Sequence, residues 1–481
     1  MINPKSPGVY IDEISTLPAS IAPVATAIPA FVGYTKADTY QGETLTDKPT
    51  RITSLLEYQL IFGGPYDEKF EITLTGTVAV TTVEVNLAVP PAPDDPALSP
   101  YTMYYNLQLY FANGGGPCYI VSVGTYSDAV PFALAVGRLT AGLATVEKED
   151  EVTLLVVPEA VSLAAADRLT VNDAMLAQCA KLQDRFAIID AVVLGGTVAA
   201  DGAGLRADVG ADNLKYGAAY YPSLLTSQSY YFEDENLVIA DDRGGDGLGP
   251  LDGKTLDIVL NGEDGAPVIT PDKALYNNIV KALRLKFGLT LYPSSAIAGI
   301  YARVDRERGV WKAPANTGVR MVDAPAVLVT TEQQDGLNID ATSGKSINVI
   351  RRFTGKGNIV WGARTLAGND NEWKFIPVRR LFIFVEESVK KATEFVVFEP
   401  NDANTWIRCK TMVENFLTQL WRNGALAGAK PEDAFFVKVG LGTTMTAVDI
   451  LEGKLNIEIG MAAVRPAEFI ILRFSHKLQE S

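Results

Sequence analysis

Histidine is almost missing from this chain: one residue, His476, stands in 481. Imidazole is the usual general base and metal ligand near neutral pH. Ser-His-Asp or Cys-His chemistry would therefore have to be built around a residue close to the C terminus, and no Gly-x-Ser-x-Gly elbow occurs. The three cysteines, Cys118, Cys179 and Cys409, are too widely spaced for a Cys-x-x-Cys pair and read as reduced core residues. Cys179 in particular falls within an apolar periodic stretch, "DAMLAQCAKLQDRFAIID", and reads as packing. No apolar run approaches the ~20 residues that span a bilayer, and the opening Met-Ile-Asn-Pro-Lys lacks the apolar segment of a signal peptide. The expectation is a protein made and kept in the cytoplasm unless it leaves by cell lysis, with no membrane insertion. Basic runs are also missing, and the net charge of −15 argues against nucleic acid as the main partner. Two motifs imitate chemistry. "SGKS" at 343–346 resembles the end of a phosphate loop, but Ile339 stands where that loop needs glycine. "DDRGGDGLGPLDG" at 241–253 has the composition of a calcium loop without its ligand spacing, and reads as a solvated loop, with a weak cation site as the alternative. No cofactor is expected.

What the chain has instead is extended, apolar ends. Prolines at 4, 7, 18, 23 and 29 exclude helix over the first thirty residues, yet they enclose the β-prone runs Val9-Tyr10-Ile11 and 28–34. At the other end Phe469, Ile470, Ile471 and Leu472 follow a proline in a second such run. Ends of this kind either add as strands to a neighbouring subunit's sheet or fold back as edge strands of their own domain.

Between the ends, 51–64 patterns as a short amphipathic helix stopped by Gly63-Gly64, and 70–90 alternates apolar and polar as a hairpin in an apparent insertion. Strand at 151–160, helix at 164–183 and strand at "RFAIIDAV" read as an α/β unit with parallel pairing. A helix of small residues follows Pro293, and a hairpin covers 347–366. Strand then helix is expected in "VRRLFIFVEESVKKATEFVVFEPND", a second helix at 403–425, and strands at 434–439, 455–461 and 468–478. From Lys374 onward there are 14 Lys/Arg against 13 Asp/Glu, so that stretch is +1 and residues 1–373 hold −16.

Nine stretches in register carry a resemblance: "PGVYIDEI", "IPAFVGYT", "NGGGPCYIV", "DRFAIID", "YYPSLL", "AIAGIYARVDRERGVWKAPAN", "INVIRRFTGKGNIVWGARTL", "EWKFIPVRRLFIFVEESVKKATEFVVFEPND" and "RPAEFIILRFSHKL". Together they resemble the sheath protein of contractile phage tails and related contractile injection systems, over most of the chain outside 65–105 and 230–270. The resemblance implies a mixed α+β and α/β fold: a core domain built from both chain ends, an inserted α/β domain, and extended N- and C-terminal β-arms. The expected boundaries are arm 1–25, N-terminal part of the core 26–64, β-rich insertion 65–115, α/β sheath domain 116–365, C-terminal core 366–464 and arm strand 465–481. It implies a structural role with no enzymatic activity: a homo-oligomeric helical cylinder joined by strand exchange through Val9, Tyr10, Ile11, Phe469, Ile470, Ile471 and Leu472. An inner tube protein would lie inside, with baseplate and terminal cap proteins, and in some particles paralogous sheath subunits, as further partners. Arg408, Lys410 and Arg422 on the 403–425 helix become candidate tube-facing residues. The competing readings are another particle subunit, of tube or capsid type, and an α/β enzyme.

Overall fold

The structure is a computed structural model and describes residues 21–79, 81–88, 98–127, 132, 134–243, 249–264 and 268–471. These divide into two compact units, one drawn from 1–25 and 380–481 and the other spanning 26–379.

The larger unit is organised by a nine-stranded sheet. Its strands lie in the order Thr317–Gly318, Gly357–Val360, Ile347–Phe353, Gly217–Tyr221, Phe186–Asp190, Leu154–Val156, Pro29–Thr35, Cys118–Thr125 and Thr50–Ile52. The middle six, from Ile347–Phe353 to Cys118–Thr125, run parallel, and antiparallel strands close both edges. Parallel strands covered on both faces carry continuous apolar runs, and all seven residues of Pro29–Thr35 are buried. The expected α/β unit is present: the helix Ala165–Leu182 links Leu154–Val156 to Phe186–Asp190, which pair in parallel. Cys179 lies fully buried on that helix, and burial pushes its thiol well up.

Two buried ionisable side chains tie this unit together, and neither was marked by a sequence pattern. The sheet register shifts between Gly33 and Thr35, which takes the Tyr34 amide out of the ladder. Glu159 accepts that N–H at 2.8 Å, and its other carboxylate oxygen accepts from Thr102 and Met103 at 3.1 and 3.3 Å, where the helix Met103–Ala112 begins. Gly33 is required beside them, because a Cβ there would lie 2.6 Å from Met103 and 2.7 Å from Glu159. Arg185, which has no exposed surface, donates to both oxygens of Asp184 and to the carbonyls of Val146 and Glu149. Truncating a buried, fully bonded cation of this kind costs about 3–5 kcal/mol, because its partners are left unpaired.

A second, smaller core in the same unit joins two distant segments. The hairpin Phe70–Gly76 and Thr81–Leu87 is extended by Ile239–Arg243, which pairs in parallel with Phe70–Gly76. Phe70, Ile72, Leu74 and Val85 pack there with Leu237, Ile239, Leu256 and Val259, and with Ile279 and Leu283 of the helix Lys273–Lys286. The hairpin is the one the sequence predicted. Its partners are the Gly/Asp-rich residues that the sequence left as loose chain.

The smaller unit contains residues 380–393 of the helix Ile376–Thr393, the helix Ala403–Arg422, and the antiparallel pair Phe435–Lys438 and Glu458–Met461. Asp402 caps Ala403–Arg422 by accepting from the Thr405 amide at 2.9 Å. Cys409, Met412, Val413, Phe416, Leu417 and Leu420 form its buried stripe, and the Phe416 ring lies 6.0 Å from that of Phe384. The start of the chain belongs here too: Ile21 is buried and the Val24 amide donates to the buried Ser388 Oγ at 3.3 Å.

Three expectations are corrected. The stretch 26–64, grouped by the sequence with the chain-end core, gives its strands Pro29–Thr35 and Thr50–Ile52 to the large sheet. Among the described residues the insertion 65–115 is β-rich only at its hairpin: Met103–Ala112 is a buried helix whose Tyr110 ring meets Phe31 of the strand Pro29–Thr35 edge-on at 5.1 Å. The run "VRRLFIF" is helical and not a strand. The five apolar residues at 381–385 imitate a buried strand when read alone, whereas Arg379-Arg380, Glu386-Glu387 and Lys390-Lys391 recur at helical spacing around them.

Burial also raises three carboxyl groups, Glu68 and Asp190 to about 7 and Glu159 to about 8, against hydrogen bonds that lower each of them. Their folded values lie above the ordinary values of 4.5 for Glu and 3.8 for Asp. The folded state therefore binds extra protons, and the stability this confers is complete below the unfolded values and lost as pH rises through about 7 to 8. The melting temperature should fall between pH 5 and pH 8.5. Glu68→Gln keeps an acceptor for the hydroxyl and amide of Ser99, so it should flatten part of that slope while leaving the pH 5 value nearly unchanged. Calorimetry across the pH range checks both.

Candidate assembly surfaces

The surfaces with unmet contacts in the smaller unit are its helix face, its sheet edges and its chain end. On Ala403–Arg422, Arg408, Lys410 and Arg422 are all exposed. At 100° per residue, Arg408 and Arg422 fall within about 40° of each other, whereas Lys410 lies about 160° from Arg408 across the buried stripe. The three therefore do not form one patch. The Arg408 guanidinium sits 5.3 Å from the centre of the Phe395 ring, and Lys410 Nζ lies 3.7 Å from Glu414 one turn on. The latter is a half-exposed ion pair worth under about 1 kcal/mol, so Lys410 can exchange partners at little cost.

The expected arm residues Val9, Tyr10, Ile11 and Leu472 lie outside the described residues. Phe469, Ile470 and Ile471 are exposed and are in no strand. The pair Phe435–Lys438 and Glu458–Met461 is a two-stranded sheet, so each strand has an outer edge with no strand paired to it among the described residues. Unpaired strand edges are templates for strand addition. Further large apolar side chains project from the same unit, among them Ile407, Val448 and Leu451. Phe398 is fully exposed with φ at +70°, a left-handed conformation that a bulky aromatic adopts only at a cost. Sequence reasoning missed Phe398; its run, "FVVFEPND", gave no sign that one aromatic would be turned outward.

The two imitations of chemistry resolve into structure. Lys345 of "SGKS" is buried and donates from Nζ to the carbonyls of Arg206 and Val209 at 2.7 and 2.5 Å, satisfying the end of the helix Val198–Ala207. Asp241, expected in a solvated loop, is 1% exposed. Its carboxylate takes two 2.7 Å bonds from Arg243 and a third from the Leu251 amide, which hold it below the usual carboxylate range. His476 lies outside the described residues. No helix among the described residues is long and apolar enough to cross a membrane.

Residues 368–477 match the phage tail sheath C-terminal domain family. The tail sheath protein of Vibrio phage KVP40 is 29% identical over 127 residues, which is 26% of this chain and 18% of that protein. That of Burkholderia phage BcepMu is 30% identical over 142 residues, 28% of this chain and 29% of that protein. The alignments thus span less than a third of these phage relatives. Solved structures are matched end to end. A chain of the anti-feeding prophage helical sheath in its contracted state is 33% identical, with a TM-score of 0.61 and coverage of 98% of this chain and 99% of that one. A chain of the anti-feeding prophage baseplate gives 34%, 0.63, 98% and 99%. The contracted sheath complex of the PVC extracellular contractile injection system gives 29%, 0.63, 99% and 99%.

Because Lys345 bonds helix carbonyls, Lys345→Met should lower unfolding free energy by about 1–3 kcal/mol, since the orphaned carbonyls are buried. Magnesium-ATP should leave the melting temperature of the unaltered protein where it is. Denaturant titration and a thermal-shift series measure the two, and nucleotide stabilisation abolished by Lys345→Met would contradict the capping role.

Proposed function

The chain belongs to the family of contractile sheath subunits, and from that premise we propose that it polymerises as a helical cylinder around an inner tube, in an extended metastable state that later contracts and drives the tube through a target envelope. The observation that carries this reading is the end-to-end likeness to a subunit of a contracted helical sheath. The family is structural, and the proposal needs no nucleotide, metal or nucleophile: the work comes from contacts that improve when subunits move.

Neighbouring subunits are joined by exchanged strands. Val9-Tyr10-Ile11 of one copy and Phe469 to Leu472 of another add to the two-stranded sheet of a third, which would cover the exposed Phe469, Ile470 and Ile471 and pair the open edges of Phe435–Lys438 and Glu458–Met461. Arms that stay bonded let the globular units rotate while the mesh remains connected. Arg408, Lys410 and Arg422 face acidic groups of the tube, with baseplate and cap proteins at the cylinder's ends. Assembly takes place in the bacterial cytoplasm and release follows lysis. A tube or capsid subunit, or an α/β enzyme, would show neither the paired ends nor the full-length likeness to a sheath.

Electron microscopy of the protein expressed alone should show hollow ridged tubes. Removal of residues 1–20 should leave a soluble, cooperatively melting protein that forms none. Tubes persisting after that truncation would mean that the N-terminal strand is not exchanged. Reversing charge at Lys410 and Arg422 should leave tube-free sheath assembly intact while weakening co-assembly with the inner tube protein, most clearly at low salt. Because Arg408 lies with Arg422 and away from Lys410, the two reversals made separately should differ. Co-sedimentation with tube across a salt series resolves them, and unchanged co-assembly of the double variant at low salt would remove the contact.

A further inference from the structure

One edge of the nine-stranded sheet in the larger unit carries a basic cavity of about 650 Å³, far from the chain ends in sequence. Its walls come from the edge strand Thr317–Gly318, the turn joining Ile347–Phe353 to Gly357–Val360, and the last turns of the helix Ser294–Arg308. Arg303, Arg320, Arg352 and Lys356 line it, against Glu307 and Asp323.

Arg303 is only 7% exposed, yet its one hydrogen bond is from Nη2 to the Gly318 carbonyl at 2.8 Å. Neither it nor Arg320, Arg352 or Lys356 has a carboxylate within ion-pair distance among the described residues. The contrast with Arg185 and Arg243, whose buried guanidinium groups each hold a carboxylate, is direct. Burial and the nearby Arg320 disfavour the Arg303 charge and outweigh Glu307, which favours it from beyond ion-pair distance, so a buried cation is held in place without a direct carboxylate partner. A second orphan lies in the same wall. Asn358 is 8% exposed and donates its amide N–H to the Val322 carbonyl at 2.7 Å, but its buried Oδ1 has no donor. The cavity therefore sets four cations against two carboxylates, neither within ion-pair distance of them, and leaves Asn358 Oδ1 without an N–H. A peptide segment bearing Asp or Glu supplies both, the carboxylate from its side chain and the N–H from its backbone.

We propose that this cavity receives an acidic segment from a second copy of the chain, as a subunit contact separate from the strand exchange at the chain ends. The reading rests on the sheath assembly argued above. The occupant follows from charge: residues 1–373 hold −16, so a like copy presents mostly acidic surface to this basic recess, and the pairing offsets at one point the repulsion that copies of a −15 chain must overcome to pack.

The test uses the full chain. A mixture of unlabelled and nitrogen-15-labelled protein is assembled, and carboxyl groups are coupled to amines with a zero-length carbodiimide. Mass spectrometry should find Lys356 joined to an Asp or Glu of the other isotopic form. The variant carrying Arg320→Glu, Arg352→Glu and Lys356→Glu alters only exposed side chains, so it should melt normally and raise the concentration needed for assembly by about tenfold. Wild-type tubes with no Lys356 cross-link between copies, or a variant that assembles as readily as wild type, would overturn this contact and leave the sheath reading standing. Absence of tubes from the wild type would instead count against the sheath reading, and the cross-link in whatever oligomer forms would still decide the contact. Calorimetry with citrate and with tripolyphosphate separates the remaining source: binding of these anions without cross-linking between copies would assign the cavity to a free anion and overturn the proposal.

Discussion

A single buried carboxyl group holds the end of the strand Pro29–Thr35 where its register shifts. At Tyr34 the register shift leaves an amide with no ladder partner, and an orphaned buried N–H costs about as much as a lost hydrogen bond. Glu159 accepts it, and with its other oxygen holds the first amides of Met103–Ala112. The strand end, the helix start and the turn carrying Glu159 are therefore fixed as one object. Gly33 follows from the same geometry, since any side chain there would occupy the space of Met103 and Glu159. The aromatic packing of Tyr110 on Phe31 also depends on that helix being held against that strand. A body that must transmit force between neighbours needs such joints, because apolar packing is non-directional whereas hydrogen bonds to a buried carboxyl fix one geometry.

How much of this was legible depended on the distance over which the determining contacts act. The parallel strands at Leu154–Val156 and Phe186–Asp190, the helix between them and the hairpin at Phe70–Gly76 were visible because their apolar patterns are local and their turns are marked. The module around Phe70 was not. Its third strand, Ile239–Arg243, comes from a Gly- and Asp-rich segment whose β character exists only once it pairs with Phe70–Gly76. The two regions outside the family resemblance, 65–105 and 230–270, meet in one small core, which the helix Lys273–Lys286 completes. An insertion that cannot bury its own apolar face has to find a partner, and here the partner is another stretch of the same kind.

The misread helix at Ile376–Thr393 is the opposite case. Its apolar run at 381–385 is β-prone when read alone, and the polar pairs at 379–380, 386–387 and 390–391 that recur at helical spacing lie on either side of that run. Pro377, taken alone, reads as a break in helix; in the first turn it costs nothing, since the missing N–H would have had no partner there. The assembly surfaces were legible only as composition. Apolar ends and a basic C-terminal stretch could be counted, but whether Arg408 and Lys410 share a face depends on helical phase relative to the buried stripe. Phe398 and the cavity at Arg303 depend on backbone conformation and on the absence of a carboxylate in space, neither of which leaves a mark in the order of residues.

The treatment of charge links the interior to the surface. Inside the units, guanidinium groups at Arg185 and Arg243 are matched by carboxylates, and Lys345 is matched by carbonyls at a helix end. Matching of this kind leaves no reason for the body to change shape, because breaking one partner strands the other in a low-dielectric interior. The unmatched groups lie at the sheet edge around Arg303 and on the faces of Ala403–Arg422. Ion pairs made at exposed positions are weak and exchangeable, whereas a partner brought to the buried Arg303 would gain far more per contact. A subunit built this way can swap its surface contacts while its own fold stays fixed, and an assembly that converts between two packings of the same bodies requires that division.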